Sequence, residues 1–500
     1  MGLGVKTTSL SAIWQALGWN PVSADVLVTG VTSDSRQIVA GNLFIACVGD
    51  PQRLRSFIEQ AQAKQAAAVA IDVHQLSLVD TCNFTVPIFG VPDLVENQGY
   101  LAAQVLSKPS DKLLLVGITG TNGKTSISHY VAQACSYLAH TCGVIGTTGN
   151  GLLADLKAGP NTTPDAVSVQ ALLADMQAQG ARACAMEVSS HGLHQGRVNA
   201  CEFDIAVLSN LSRDHLDYHG SMEQYGEAKA RLFSWPKLKH AVINADDSFG
   251  LCLLNQLAKN VHTWTYSVRS GSASANIYAT NVRFNQQGMQ ADITTPLGNI
   301  QVCTELFGEF NLSNLLATVG VLLAAGFDLK SVSQALTQLQ PVAGRMEKTI
   351  LPTGVIAIVD YAHTPDALQA ALQATRQHVQ SGSLWCVFGC GGDRDTGKRP
   401  LMGQIAEQLA DQVVVTDDNP RFEASASIIE QIKHGFRVPE AVTLIADRKS
   451  AIAHTLSQAK AGDIVLIAGK GHEDYQEIGG QREHFSDREQ VAIVAQELAQ

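Results

Sequence analysis

A chain of 500 residues, 45% hydrophobic and 16% charged, is too long for a single core and sets an expectation of about three globular domains. Its formal charge of −11 excludes a broad nucleic-acid surface, which needs clustered Lys and Arg, and no apolar run reaches the roughly 18 residues that span a bilayer. The N-terminus lacks a basic region followed by a long apolar segment, so a cytoplasmic protein is expected; the ten cysteines, with no CxxC pair, read as reduced core residues, Cys47, Cys184 and Cys386 among them.

In chain order, residues 1–110 carry the short apolar runs VLVTGVT, NLFIACV and AAAVAID around an alanine-rich helical stretch from Ser56 to Gln65. This is the pattern of a small α/β unit. Turn chemistry at 107–111 marks a boundary. From Lys112 the order is strand, loop, helix (126–139), strand (143–146), helix (165–179), strand (183–188) and strand (205–209), which predicts a parallel sheet covered on both faces. Residues 267–303 are richer in β-branched side chains and read as a strand-rich insertion or edge. After Pro341 a third series follows, VIAIVD, LWCVFG, DQVVVTD, AVTLIA and DIVLIAG. The expected fold class is therefore α/β with three domains: a small N-terminal α/β domain (1–110), a central P-loop parallel-sheet domain (111–343) and a C-terminal Rossmann-like doubly wound domain (344–500).

The chemistry starts at KLLLVGITGTNGKT, residues 112–125. A buried strand breaks into glycines whose backbone N–H groups open a helix, an arrangement that receives an oxyanion. Lys124 would reach the outer phosphates and the Thr125 hydroxyl a magnesium ion. The usual spacing would place a glycine where Ile118 stands, and glycines fall instead at Gly117, Gly120 and Gly123. Glu187, at the end of a later strand, reads as a magnesium ligand or as a helix-capping or ion-paired surface carboxylate. His215, one strand further on, reads as a ligand or as a hydrogen-bonded histidine. Lys229, in YGEAKARLF, reads by itself as a solvated helix lysine. Asp417–Arg421 reads as a strand ending in an Asx-Pro turn that presents Arg421, and a turn alone accounts for it.

The ordered set GITGTNGKT, EVSSHGL, NLSRDHLDYHG, YGEAKARLF, GRME and DYAHTPDAL resembles the Mur ligase family of cell-wall amino-acid-adding enzymes, and within it the branch that adds meso-2,6-diaminopimelate. The resemblance implies an ATP-dependent amide ligase, active as a monomer, acting on UDP-N-acetylmuramoyl-L-alanyl-D-glutamate with Mg2+. It implies that Gly120, Thr121, Asn122, Gly123, Lys124, Thr125 and Ser126 take the ATP phosphates. Arg345 and Asp360 correspond to family residues that reach ATP when the domains close. Lys229 corresponds to a lysine carboxylated by carbon dioxide; the resulting carbamate, with Thr125, Glu187 and His215, would hold magnesium, and Lys124, Lys229 and His215 would be catalytic. Ser33, Ser35, Asn161, Thr162, Thr163, Ser189, Gln195 and Arg197 correspond to contacts to the UDP substrate. Residues 50–54, Asp-Pro-Gln-Arg-Leu, depart from the His-Gln-Ala pattern of relatives. Arg394, Asp418, Asn419, Pro420, Arg421, Gly469 and Glu473 correspond to the diaminopimelate pocket. A guanidinium at its floor would pair the distal carboxylate that lysine lacks. The alternatives are a folylpolyglutamate-type ligase, a nucleotide-binding switch and a UDP-sugar-binding module.

Overall fold

A computed structural model describes residues 7–21, 25–79, 83–269, 271 and 274–499. The chain packs as two compact units, Met1–Tyr266 with Ala317–Phe327, and Ser267–Leu316 with Asp328–Gln500. In the first unit, a four-stranded parallel sheet runs in the order Gly30–Thr32, Asn42–Ile45, Ala68–Asp72, Ile88–Val91. The helix beside it spans Pro51–Ala63 and buries Leu54, Ile58 and Ala61. It starts earlier than its alanine content predicts, because Asp50 accepts a hydrogen bond from Arg53 N (2.7 Å) as N-cap and Pro51 fits the first turn. Cys47 corrects an expectation: it lies beyond the strand that ends at Ile45 and is exposed, whereas Cys184 and Cys386 are buried in strands.

The same unit holds a larger, mainly parallel sheet in the order His262–Ser267, His240–Asn244, Ile205–Leu208, Leu114–Thr119, Ala183–Glu187, Cys142–Gly146, Gly149–Leu152, with only the last of these pairings antiparallel. The central strands are near-continuous apolar runs because both faces are covered. Their carboxyl ends, at Thr119, Gly146, Glu187 and Leu208, line up along one edge, where ligands of open parallel sheets gather.

In the second unit, the strand-rich segment folds as an antiparallel meander, Ile277–Asn285, Gly288–Thr295 and Gly298–Thr304. The six-stranded sheet that follows has the order Glu347–Ile350, Ile356–Asp360, Ile464–Ala468, Leu384–Phe388, Gln412–Val415, Thr443–Leu444. Alternate residues of its apolar strands feed separate cores: Ile356, Ile358, Leu384, Cys386, Leu466 and Val415 on one face, Ala357, Val359, Val387, Val414 and Val465 on the other. That two-sided burial is what makes the strands read as unbroken hydrophobic runs.

Candidate active site

In the first unit the loop after strand Leu114–Thr119 turns on Gly120 (φ +140°) and Gly123 (φ +86°) into helix Lys124–Tyr137. Gly120 cannot be replaced without strain, since a Cβ there would lie 1.9 Å from Ser209 Oγ. The neighbouring strand end holds the loop open: Thr121 N donates to Asn210 O (2.8 Å), and Asn122 N to Asn210 Oδ1 (3.0 Å). Ser126 is buried in the first turn of the helix.

Two lysines converge on one carbonyl. Lys124 Nζ donates to Gly120 O (2.9 Å) and Thr121 O (2.8 Å), and Lys229 Nζ donates to the same Gly120 O (2.9 Å). Lys229 is 1% exposed and its ammonium lies 4.4 Å from the centre of the Tyr225 ring. The solvated-lysine reading of the isolated motif is thereby corrected. Helix Met222–Ala230, capped by Ser221, turns Tyr225, Ala228 and Lys229 inward. Burial, and then the like charge of Lys124, push the Lys229 amine well below the usual lysine range.

Glu187 is fully buried; its carboxylate accepts from Thr125 Oγ1 (3.0 Å), Thr147 N (2.9 Å) and Thr147 Oγ1 (3.2 Å). Full burial excludes a solvent-exposed carboxylate at this position. Thr125 and Glu187 thus put hard oxygen donors side by side at a strand end, which suits magnesium. His215 is half exposed in the left-handed region (φ +51°), its ring 4.9 Å from that of His191.

Around it the structure gathers residues that the sequence reading passed over. His191, His194, Tyr218, His219 and Tyr225 form a contiguous ring cluster. Burial followed by neighbouring cations and histidines keeps His191 and His219 below the ordinary histidine range. The available signal was the density of histidines in EVSSHGL and DHLDYHG, each of which alone reads as a hydrogen-bonded side chain.

The residues assigned to the anionic substrate fall into two groups. Thr163 Oγ1 donates to Glu187 O (2.9 Å), and its hydroxyl is 3.1 Å from Ser189 Oγ; Ser189 caps the next helix through Gly192 N. Thr162 shares a hydrogen bond with Thr147 (3.0 Å). Arg197 donates to Thr163 O (2.8 Å) and to Gln195 Oε1 (3.0 Å), which fixes its planar fork, while Asn161 is exposed beside them. Ser33 lines a cavity of about 280 Å³ with Phe44, Cys47, Phe57, Gln98 and Asp165, and donates to Asp165 (3.0 Å). Ser35 is not among its lining residues; it is buried and bonded to Gln60 (2.8 Å).

In the second unit, Asp360 accepts from Met346 N and Ala362 N (both 2.9 Å); burial raises its carboxyl, and Arg345 opposes the rise. The Arg345 guanidinium lies 4.7 Å from the Tyr361 ring centre. At the carboxyl end of strand Gln412–Val415, residues Asp417, Asp418 and Asn419 are buried and the chain turns at Arg421, φ +53°. Arg421 N donates to Glu477 O (2.9 Å) and Gly479 N to Arg421 O (2.6 Å), so a hairpin, Tyr475–Ile478 with Gln481–His484, grips its backbone. Its guanidinium donates to Gly392 O (2.8 Å). Arg394 is exposed on that same loop: a Cβ at Gly391 would meet Arg421 Nη1 at 2.9 Å and Arg394 Cγ at 3.8 Å. Glu473 Oε2 accepts from Asn419 Nδ2 (3.1 Å), and a Cβ at Gly469 would lie 3.7 Å from the Asp418 carboxyl. Asp418 to Arg421, Gly469 and Glu473 thus lie close together at this strand end.

Known proteins resemble the chain over most of its length. Residues 118–322 match the Mur ligase middle domain, and residues 344–471 the Mur ligase, glutamate ligase domain. The chain is 50% identical over 476 residues to the UDP-N-acetylmuramoyl-L-alanyl-D-glutamate--2,6-diaminopimelate ligase of Pseudomonas aeruginosa, covering 95% of this chain and 96% of that protein. It is 50% identical over 463 residues to the ligase of the same name from Ectopseudomonas mendocina, covering 92% and 94%. A solved structure of a ligase of that name superposes with a TM-score of 0.74 at 39% identity, covering 99% of this chain and 100% of the other.

Proposed function

The chain belongs to the Mur ligase family, and from that premise we propose that it joins meso-2,6-diaminopimelate to UDP-N-acetylmuramoyl-L-alanyl-D-glutamate in peptidoglycan precursor synthesis. The reaction is an ATP-dependent amide ligation. The D-glutamyl γ-carboxylate oxygen attacks the γ-phosphorus of ATP, the bond to ADP breaks, and an acyl phosphate forms. The diaminopimelate amine then attacks that carbonyl carbon, loses its proton, and phosphate departs from the tetrahedral intermediate as the amide forms.

The observation that carries the ligase reading is the convergence of Lys124 and Lys229 on Gly120 O. Phosphates entering the loop would draw Lys124 off this carbonyl, giving the ammonium a stronger, charged acceptor. Lys229, buried and with its amine pushed below the usual lysine range, is the side chain assigned in this reading to carboxylation by carbon dioxide. Thr125 and Glu187, with His215 and Lys229 as carbamate, would hold magnesium, which when bound offsets charge on the phosphoryl oxygens. Lys124 stabilises the same developing charge.

The remaining roles are assigned within this reading. Gly120 to Ser126, Arg345 and Asp360 contact ATP. Ser33, Asn161, Thr162, Thr163, Ser189, Gln195 and Arg197 hold the UDP substrate, with Ser35 behind them. Arg394, Asp418–Arg421, Gly469 and Glu473 hold diaminopimelate. The functional domains are 1–110, 111–343 and 344–500. No helix among the described residues is long and apolar enough to cross a membrane; within this reading the enzyme acts as a monomer in the cytoplasm, where nucleotide-linked precursors are used. The test is product formation: with ATP, the UDP-dipeptide and meso-diaminopimelate, mass spectrometry should detect the UDP-tripeptide with one phosphate released per product. Phosphate release without the tripeptide contradicts the assignment.

A further inference from the structure

Lys470 lies between Gly469 and Gly471, in a motif whose glycine and glutamate were assigned to the amino-acid pocket while the lysine was not. It is fully buried. Its ammonium donates to Asn419 Oδ1 (2.9 Å) and Tyr475 O (2.7 Å). Asp418 Oδ1, which has no hydrogen-bond partner among the described residues, is 3.6 Å away, and Glu473 Oε2 is 3.9 Å away. Arg448 and Asp487, themselves bonded through Arg448 Nε and Nη2 at 2.7 Å each, complete the charged surroundings.

This arrangement decides which way Asn419 points. Its Oδ1 already receives Lys470 Nζ and Glu477 N (3.0 Å), so its NH2 must face Glu473 Oε2 at 3.1 Å. A flipped amide would set NH2 against an ammonium and an N–H. The second Lys470 bond, to Tyr475 O, secures the hairpin strand whose Glu477 O receives Arg421 N. One ammonium therefore anchors both ends of the pocket: the carboxylate that would meet a substrate amine, and the arginine that would meet a substrate carboxylate. Burying an ammonium is costly unless its N–H groups and charge are used, and here they are.

We propose that Lys470 is a positioning residue for amino-acid selection, orienting Asn419 and Glu473 and tying them to the Arg421 clamp. This rests on the reading of that pocket as the diaminopimelate site. The experiment measures KM for all three substrates in Lys470→Met, with circular dichroism melting as a fold control. The KM for diaminopimelate should rise roughly tenfold or more, as loss of one partner of a buried ion pair requires, while those for ATP and the UDP-dipeptide stay within about twofold. An unchanged diaminopimelate KM, or three KM values moving together, overturns the proposal. Because Lys470 acts through Asn419, Lys470→Met and Asn419→Ala should be non-additive in a double-mutant cycle; additivity also overturns it. If Lys470→Met does not fold, Lys470→Gln keeps an N–H donor without the charge and is read the same way. Arg421→Ala separates the two levels. If it too leaves the diaminopimelate KM unchanged, the pocket reading itself fails; if it raises that KM and Lys470→Met does not, only the present proposal fails.

Discussion

The phosphate loop and the amino-acid pocket both sit at the carboxyl ends of parallel strands, yet they are built from opposite charge balances. At the loop two lysine side chains share one backbone carbonyl, framed by backbone N–H groups, Asn210 and Tyr225, with the Glu187 carboxylate bonded to Thr125 at the next strand end. At the pocket, carboxylates from Asp418, Glu473 and Glu477 are gathered beside Lys470 and Arg421, and Arg448 donates to the backbone carbonyl of Asp417. A site for phosphates needs backbone N–H groups and a cation waiting for an anion, the part that Lys124 plays here. A site that must accept one zwitterion and refuse another needs both signs at fixed separation. The loop therefore depends on its glycine backbone and its two lysines, and the pocket on the placement of its charged side chains.

The largest expected effect comes from the loop's second lysine. Lys229→Ala should cost roughly a thousandfold or more in kcat/KM, the scale of losing preorganised charge stabilisation, and added bicarbonate should not restore activity. Near wild-type turnover in a folded variant would return Lys229 to a structural role. Next, Gly120→Ala tests backbone intolerance. With φ at +140° and a Cβ 1.9 Å from Ser209 Oγ, the loop must shift, and the KM for ATP should rise roughly tenfold to a hundredfold. An unaltered KM would show that the strand end yields easily.

The smallest effect tests the charge-held frame of the pocket. Arg399, fully buried, grips Glu423 through both oxygens (2.9 Å each) and also donates to Gly391 O (3.1 Å), bracing the loop that carries Arg394. The guanidinium beside it lowers the Glu423 carboxyl to about 2. A depressed folded pKa gives stability that is present above the ordinary value of 4.5 and is lost as pH falls through about 2. Between these limits the wild-type melting temperature should fall more steeply than that of Glu423→Gln, by about 2–4 °C in total. Equal slopes would show that the ion pair does not brace the loop.

The same contrast explains what the sequence disclosed. Apolar runs bounded by glycine marked the strands of both sheets, because two-sided burial removes polar positions from them, and glycine spacing marked the loop. Asx-Pro chemistry exposed the turn at Arg421. Lys229 and Lys470 were illegible as buried residues: one lies in a helix of mixed polarity, the other between glycines, and only packing from distant segments encloses them. Cys47 failed in the opposite direction, an apolar neighbourhood that ends in solvent because its strand stops at Ile45. The hairpin that clamps Arg421 carries little apolar alternation, with half-exposed residues along Tyr475–Ile478 and exposed ones along Gln481–His484, so its importance comes from backbone hydrogen bonds that periodicity does not report.

The central claim is that Arg421 and its clamp select the amino acid, and the direct measurement is ATP-dependent phosphate release with the UDP-dipeptide, comparing meso-diaminopimelate with L-lysine in wild type and in Arg421→Ala. The account predicts a wild-type preference for diaminopimelate of roughly a thousandfold or more, because lysine leaves the guanidinium unpaired, and a collapse of that preference in Arg421→Ala with the KM for ATP unchanged. Equal rates with the two amines in the wild-type enzyme, or an undiminished preference in the variant, would contradict it.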